Sequence, residues 1–122
     1  MAGLTQTTQQ SALDFVFPTS AGTDAIAYST NGTSEFAGLA RTAIGASGWA
    51  AATAATPSVK ANGSVLTSAG ATSGGTVTHF AVYSATSSGT QKTDWTALSS
   101  PRTLAVGDKM EWAAGSCSIT LD

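Results

Sequence analysis

The sequence predicts a single all-β domain, a β-sandwich of jelly-roll or Greek-key type, with a short N-terminal arm. A length of 122 residues is near the usual size of one hydrophobic core. In the second half of the chain, aromatic and β-branched residues alternate with polar ones. Gly, Pro and Ser separate these runs at intervals of about 8 to 12 residues, a spacing typical of sandwiches and barrels. We expect the arm to cover residues 1–17 and the sandwich to cover residues 18–122.

The arm begins polar and ends apolar. Residues 5–10 are all Thr or Gln, and they lack the apolar spacing that buries one face of a helix. Both a short helix that begins at Thr5 and an extended segment are therefore compatible with the sequence. Leu13, Phe15 and Phe17 follow, and a proline stops the run. Such an apolar end can dock on another subunit as easily as on its own domain.

Two Asn-Gly pairs mark predicted turns in the next part of the chain. Asn31-Gly32 separates Ala25–Ser29 from Glu35–Ile44, which predicts a hairpin. Asn62-Gly63 lies within the weak strands of Ser58–Ala69, where we expect a tight turn because both residues tolerate positive φ. A glycine loop at residues 45–48 lies between these regions.

Five runs of β-forming residues make up the second half. Their predicted bounds are Thr76–Tyr83, Thr93–Leu98, Arg102–Val106, Lys109–Ala113 and Ser116–Leu121. We expect Pro101 to break the chain between the second and third runs, since proline cannot donate a ladder hydrogen bond. The last run places Cys117 on the same face as Ile119 and Leu121, so we expect a buried small side chain rather than a reactive thiol.

Charge and hydropathy exclude several classes of protein. Charged residues make up only 10%, and the net charge is −2 with five basic residues, which argues against binding nucleic acid by neutralising phosphates. No run of apolar residues is long enough for a transmembrane helix. The N-terminus lacks the basic and apolar regions of a signal peptide, so we expect synthesis in a cytoplasm.

No constellation of residues predicts catalysis or metal binding. The single histidine, His79, lies inside a predicted strand, and the chain has no Gly-x-Ser-x-Gly motif. One His and one Cys do not suffice for a zinc site, and nothing matches a calcium loop. We therefore predict a protein that is not an enzyme, with no catalytic, cofactor-binding or metal-binding residues.

Three tryptophans keep carbohydrate binding open as an alternative. Trp112 is in phase with Met110, which favours a place in the core, whereas Trp95 is compatible with either face of its strand. Trp49 follows the glycine loop, and we expect it to be exposed and to form a second contact with a partner.

Apolar side chains are few and mostly small, which limits the apolar area that one copy of the chain can bury. Association with other subunits would supply the missing stabilisation. We predict a homo-oligomer.

Three segments carry a resemblance to a known family. They are Gly-Thr-Val-Thr-His-Phe-Ala-Val-Tyr at 75–83, the run from Ala97 to Gly115 with its Pro-Arg-Thr and Gly-Asp motifs, and the closing Ser-Ile-Thr-Leu-Asp at 118–122. In order and spacing they resemble small structural proteins of tailed-bacteriophage virions, of the tail-fibre or head-decoration type. The resemblance lies mainly in residues 75–122.

The resemblance implies a non-enzymatic virion protein, made in the cytoplasm of a bacterial host, without cofactor, nucleic acid or membrane as partner. It implies binding to the major capsid protein or to other virion subunits. We expect a capsid decoration (cementing) protein that stabilises the head shell, with Leu13, Phe15, Phe17 and Trp49 as contacts. A tail or tail-fibre component and a glycan-binding module that recognises a host surface are the alternatives.

Overall fold

The computed structural model describes residues 3–19, 22–45, 48–55 and 57–121. The parts of the predicted arm, glycine loop and sandwich that fall on residues 1–2, 20–21, 46–47, 56 and 122 lie outside the described residues.

The described residues form one short helix and eight strands. These are α1 (Gln6–Val16), β1 (Ala25–Ser29), β2 (Thr42–Ala43), β3 (Ser58–Ala61), β4 (Leu66–Thr67), β5 (Gly75–Tyr83), β6 (Thr96–Leu104), β7 (Glu111–Trp112) and β8 (Ser118–Leu121). The sheets have the strand orders β2-β1-β5-β6, β3-β8 and β4-β7. The pairs β1-β2, β1-β5, β5-β6 and β3-β8 are antiparallel. The all-β prediction is confirmed, whereas a jelly-roll or Greek-key sandwich is not established by these sheets.

The chain forms two compact units. The first unit comprises Met1–Gly22, Ile44–Leu66 and Trp112–Asp122, and it contains α1, β3 and β8. The second unit comprises Thr23–Ala43 and Thr67–Glu111, and it contains β1, β2, β5 and β6. The predicted division into an arm and a sandwich domain stays a prediction.

In the second unit, β1 is the most deeply buried strand. All five of its residues are buried, so both faces of β1 are covered. Tyr28 lies opposite Phe80 of β5, and the Tyr28 hydroxyl shares a hydrogen bond with the Thr42 hydroxyl of β2. Side chains and backbone together hold the three strands in one register.

The predicted hairpin from β1 into Glu35–Ile44 is only partly right, because strand pairing is limited to Thr42–Ala43. Oδ1 of Asn31 accepts hydrogen bonds from the backbone N–H groups of Thr33 (2.9 Å) and Ser34 (3.0 Å). This local side-chain bonding folds the connection as a loop and competes with a longer ladder.

Strand β6 corrects the predicted break at Pro101. It runs from Thr96 to Leu104 and thus joins two of the predicted strands. β6 is an edge strand of its sheet, where a missing N–H is tolerated on the outer side. The pairing of β6 with β5 also shifts register between Val77 and His79. Because the hydrogen-bond ladder is interrupted there, it does not have to run continuously past Pro101.

In the first unit, the N-terminal segment is helical. Thr5 caps α1, since its hydroxyl oxygen accepts a hydrogen bond from the backbone N–H of Thr8 at 3.3 Å. Gln9 and Leu13, one turn apart, are buried, and α1 packs against β3. Of the two alternatives that the sequence leaves open, the short helix is confirmed.

Asn62 has a different role from the expected tight turn. Neither Asn62 nor Gly63 has a positive φ. The Asn62 side chain is buried instead: Oδ1 accepts from the backbone N–H of Cys117 at 2.9 Å, and Nδ2 donates to the carbonyls of Ser64 (2.8 Å) and Ala113 (3.0 Å). Cys117 is fully buried, as the sequence predicts.

Candidate functional site

Helix α1 is held firmly from its inner side. Oε1 of Gln9 accepts a hydrogen bond from the backbone N–H of Ser58 at 3.0 Å, and its Nε2 donates to the carbonyl of Leu4 at 2.9 Å. Nε2 of Gln10 donates to the carbonyl of Ala52 at 3.0 Å. These bonds fix the rotation of α1, so the direction of its outer face is fixed as well.

An ion pair also attaches α1 to β3. Nζ of Lys60 donates to Oδ1 of Asp14 and to the hydroxyl of Thr19, both at 2.7 Å, and the backbone N–H of Ala52 also donates to Asp14. Burial by itself would raise the pKa of Asp14. The hydrogen bonds from Lys60 and Ala52 and the charge of Lys60 outweigh it and lower that pKa below the ordinary value.

Three of the four predicted partner contacts lie in the core of the first unit. Leu13, Phe17 and Trp49 are 4%, 4% and 2% exposed. The rings of Phe17 and Trp49 meet edge to face, with their centroids 5.4 Å apart. The expectation that Trp49 is exposed is therefore wrong, because its indole completes this core.

Phe15 is placed differently from its neighbours. It is 85% exposed and Val16 is 41% exposed. In a helix, two residues of separation rotate a side chain by about 200°, so Phe15 faces away from Leu13. The alternation in the sequence suggests one common apolar face, but the helix divides it into a buried side and an exposed side. Binding to a partner by these residues stays a prediction, and Phe15 is the accessible member.

In the second unit, Arg41 is bound on several sides. Its Nε and Nη2 donate to the two carboxylate oxygens of Glu35 at 2.8 Å each, and its Nη1 donates to the carbonyls of Ala85 (2.9 Å) and Ser88 (2.7 Å). Its Cζ lies 3.9 Å from the centroid of the Tyr83 ring. The hydrogen bonds to Glu35 raise the pKa of Arg41, although burial opposes them. Arg41 thus fixes Tyr83 and the following loop.

Tyr83 also contacts Trp95, and both rings are partly exposed. Their centroids are 6.2 Å apart, with an angle of 53° between the planes. The Tyr83 hydroxyl donates to Oε1 of Gln91 at 3.2 Å, and Nε2 of Gln91 donates to the carbonyl of Thr93 at 2.7 Å. We call Tyr83, Gln91 and Trp95 the aromatic site. The sequence left the position of Trp95 open, whereas Trp112 is buried as expected.

His79 lies on β5, next to Thr78 and Ser29. Its Nδ1 is hydrogen-bonded with the Thr78 hydroxyl at 2.8 Å, and it lies opposite Ser29 of β1. Gly32 has φ +77°, and a Cβ there would come within 3.0 Å of the imidazole ring. No carboxylate of the described residues is hydrogen-bonded with His79.

The described part of the chain contains no group of three or more His, Cys, Asp or Glu side chains placed to hold a metal ion. Among the same residues, no helix has the length and apolar character that crossing a membrane requires.

Comparison with known proteins gives one family match. A family model described as podophage GP4 fiber I protein gp80 matches residues 3–120. No curated protein matches the chain. The match confirms the resemblance to phage virion structural proteins, and it extends that resemblance from residues 75–122 to almost the entire chain.

Proposed function

Because the chain belongs to the podophage GP4 fiber I protein gp80 family, we propose that it is a non-enzymatic structural subunit of a virion fibre. The family supports a place in the virion and supports the fibre alternative from the sequence. Capsid decoration, the first expectation, is not confirmed. The proposed partners are other virion subunits, including further copies of this chain.

The exposed side chain of Phe15 is the observation on which the proposed docking surface rests. Complete burial of an aromatic side chain of this size stabilises a complex by about 1.5–3 kcal/mol. Gln9, Gln10 and Asp14 fix α1 from its other side, so little further ordering of the helix is needed on binding. Val16 adds a second, partly exposed apolar group next to Phe15.

The charges of the chain support an apolar rather than an electrostatic attachment. Three of the five basic side chains, Arg41, Lys60 and Lys92, are paired with Glu35, Asp14 and Asp24. Little unpaired charge of one sign is thus available to steer association. Incorporation that depends on apolar burial is expected to be insensitive to salt.

The test introduces Phe15→Ser into the phage genome and measures copies of the protein per purified particle by quantitative mass spectrometry. The matched control is Val106→Ser, which replaces another exposed apolar residue, in the second unit. We expect fewer copies per particle for Phe15→Ser and the wild-type number for Val106→Ser. Equal incorporation of both variants would exclude Phe15 as a docking residue.

The fibre assignment has its own test. Antibody-gold labelling of intact particles is expected on fibres. Even labelling over the head shell would assign the protein to capsid decoration and overturn the proposed place in a fibre.

A further inference from the structure

We propose that the aromatic site binds a neutral pyranoside, with its C–H face against the ring of Trp95, beside Tyr83, and with Gln91 bonded to its hydroxyl groups. This binding function goes beyond the structural role in a fibre. It is located in the second unit, whereas Phe15 belongs to the first.

The aromatic site is held in place by its neighbours. Arg41 lies over Tyr83, and its own side chain is only 8% exposed and makes hydrogen bonds to Glu35 and to two backbone carbonyls. The amide of Gln91 is held at both ends, by the Tyr83 hydroxyl and by the Thr93 carbonyl. A ligand therefore meets a Tyr83 ring and a Gln91 amide that are already fixed, next to the ring of Trp95, which lowers the entropy cost of binding.

The aromatic site also has unused hydrogen-bonding capacity. Within the described residues, the indole N–H of Trp95 has no hydrogen-bond partner, and neither has the carboxylate of its neighbour Asp94. One N–H of the Gln91 amide is also free, since the structure uses only one. Free donors and acceptors next to exposed aromatic surface match a ligand that has an apolar face and a rim of hydroxyl groups.

The surroundings favour a saccharide over an apolar protein surface. The large exposed hydrophobic residues of the described chain are Leu4, Phe15, Val16, Val65 and Val106. None of them lies near the aromatic site in sequence, and the residues that flank Trp95 and Gln91 are polar. Protein-binding centres usually surround an aromatic anchor with further apolar area that excludes water.

The charges near the aromatic site favour an uncharged saccharide over an acidic one. The nearby cations are already paired, Arg41 with Glu35 and Lys92 with Asp24 at 2.6 Å. The unpaired charge next to Trp95 is the carboxylate of Asp94. A sugar that carries a carboxylate would meet like charge there, so the site is expected to prefer an uncharged pyranoside.

The three tryptophans provide an internal control for the test. Trp49 and Trp112 are 2% and 7% exposed, so their indole signals report on the core, whereas the Trp95 signal reports on the site. The ¹⁵N-labelled full chain is titrated with methyl α-D-glucopyranoside, methyl β-D-galactopyranoside, methyl α-L-rhamnopyranoside and methyl N-acetyl-β-D-glucosaminide. We expect a saturable shift of the Trp95 indole signal with at least one of them and no shift of the other two signals.

Variants then identify the contacts. Gln91→Ala and Trp95→Ala are expected to weaken binding of the responding sugar by up to about tenfold, the size of a single aromatic or hydrogen-bonding contact. The matched control Gln6→Ala replaces another exposed glutamine, in the first unit, and is expected to leave the affinity unchanged. Gln91→Ala keeps the test valid if Trp95→Ala does not fold.

Three results would overturn the proposal. They are the absence of a Trp95 shift with all four sugars, equal or stronger binding of methyl β-D-glucuronide, and unchanged affinity in Gln91→Ala. All are measured on the purified chain, so they are independent of incorporation into particles, which tests the fibre proposal.

Discussion

Nζ of Lys60 lies 2.7 Å from Oδ1 of Asp14, and the two side chains differ completely in their access to water. The Lys60 side chain is 0% exposed, whereas that of Asp14 is 40% exposed. Nζ also donates to the Thr19 hydroxyl at 2.7 Å. Because water does not reach the ammonium group, these two oxygen atoms stabilise its charge, and the pair attaches α1 to β3.

This asymmetry predicts that Asp14→Ala destabilises the protein more than Lys60→Met. Asp14→Ala leaves a buried ammonium group with only Thr19, and we expect a loss of about 2 kcal/mol, below the value for fully buried pairs because Asp14 is partly hydrated. Lys60→Met removes the charge and lets the carboxylate bind water, so we expect a loss of less than about 1 kcal/mol. Urea denaturation measures both.

The double variant provides the control for this prediction. Asp14→Ala combined with Lys60→Met is expected to be more stable than Asp14→Ala alone, because no buried charge then lacks a partner. Equal losses in the two single variants would contradict the asymmetry.

The same pair predicts how stability changes in acid. The pKa of Asp14 in the folded protein is lowered from the ordinary value of 3.8. The unfolded chain therefore takes up a proton at higher pH than the folded chain does. The stabilisation by Asp14 is fully present above the ordinary value and is lost as pH falls through the folded value. Denaturation curves at successive pH values below 5 are expected to show a smaller loss for Asp14→Asn than for the wild type; parallel losses would argue against a contribution from Asp14.

A third prediction compares the two Asn-Gly pairs. Asn62→Asp replaces the buried Nδ2 donor by an oxygen that faces the carbonyls of Ser64 and Ala113, and we expect a loss of more than about 2 kcal/mol. Asn31→Asp keeps the Oδ1 acceptor in an exposed loop and is expected to change stability by less than about 0.5 kcal/mol. Thermal and urea denaturation of both variants check the difference, and similar losses would show that the Asn62 network contributes little.

The two Asn-Gly pairs also show where sequence prediction succeeds and where it does not. Both look like local turns, and for Asn31 the local bonds to Thr33 and Ser34 do decide the loop. For Asn62 the decisive partner is the backbone N–H of Cys117, which is 55 positions away in the chain. A contact at that distance leaves no pattern in the neighbouring residues.

Sequence prediction is likewise more successful for the strands than for the docking surface. β5 (Gly75–Tyr83) agrees closely with the predicted Thr76–Tyr83, because alternation and β-branched residues are local signals. Phe15 shares one alternating pattern with Leu13 and Phe17, and only the helical backbone shows that Phe15 faces outward. The aromatic site depends on residues 41, 83, 91 and 95, which the fold of the second unit brings together.

The last prediction concerns the single thiol. Cys117 is 0% exposed, and burial raises its pKa to about 12, so almost no thiolate is present at neutral pH. We expect no reaction of the native protein with a thiol-specific disulfide reagent and one equivalent of reaction in concentrated urea. The native reaction rate should follow global unfolding, and Cys117→Ser should give no reaction in either condition.

In Asn62→Ala, which removes the acceptor of the Cys117 N–H, labelling is expected to be faster because unfolding costs less free energy. Stoichiometric labelling of the native wild type within the mixing time would show instead that the segment around Cys117 opens without global unfolding.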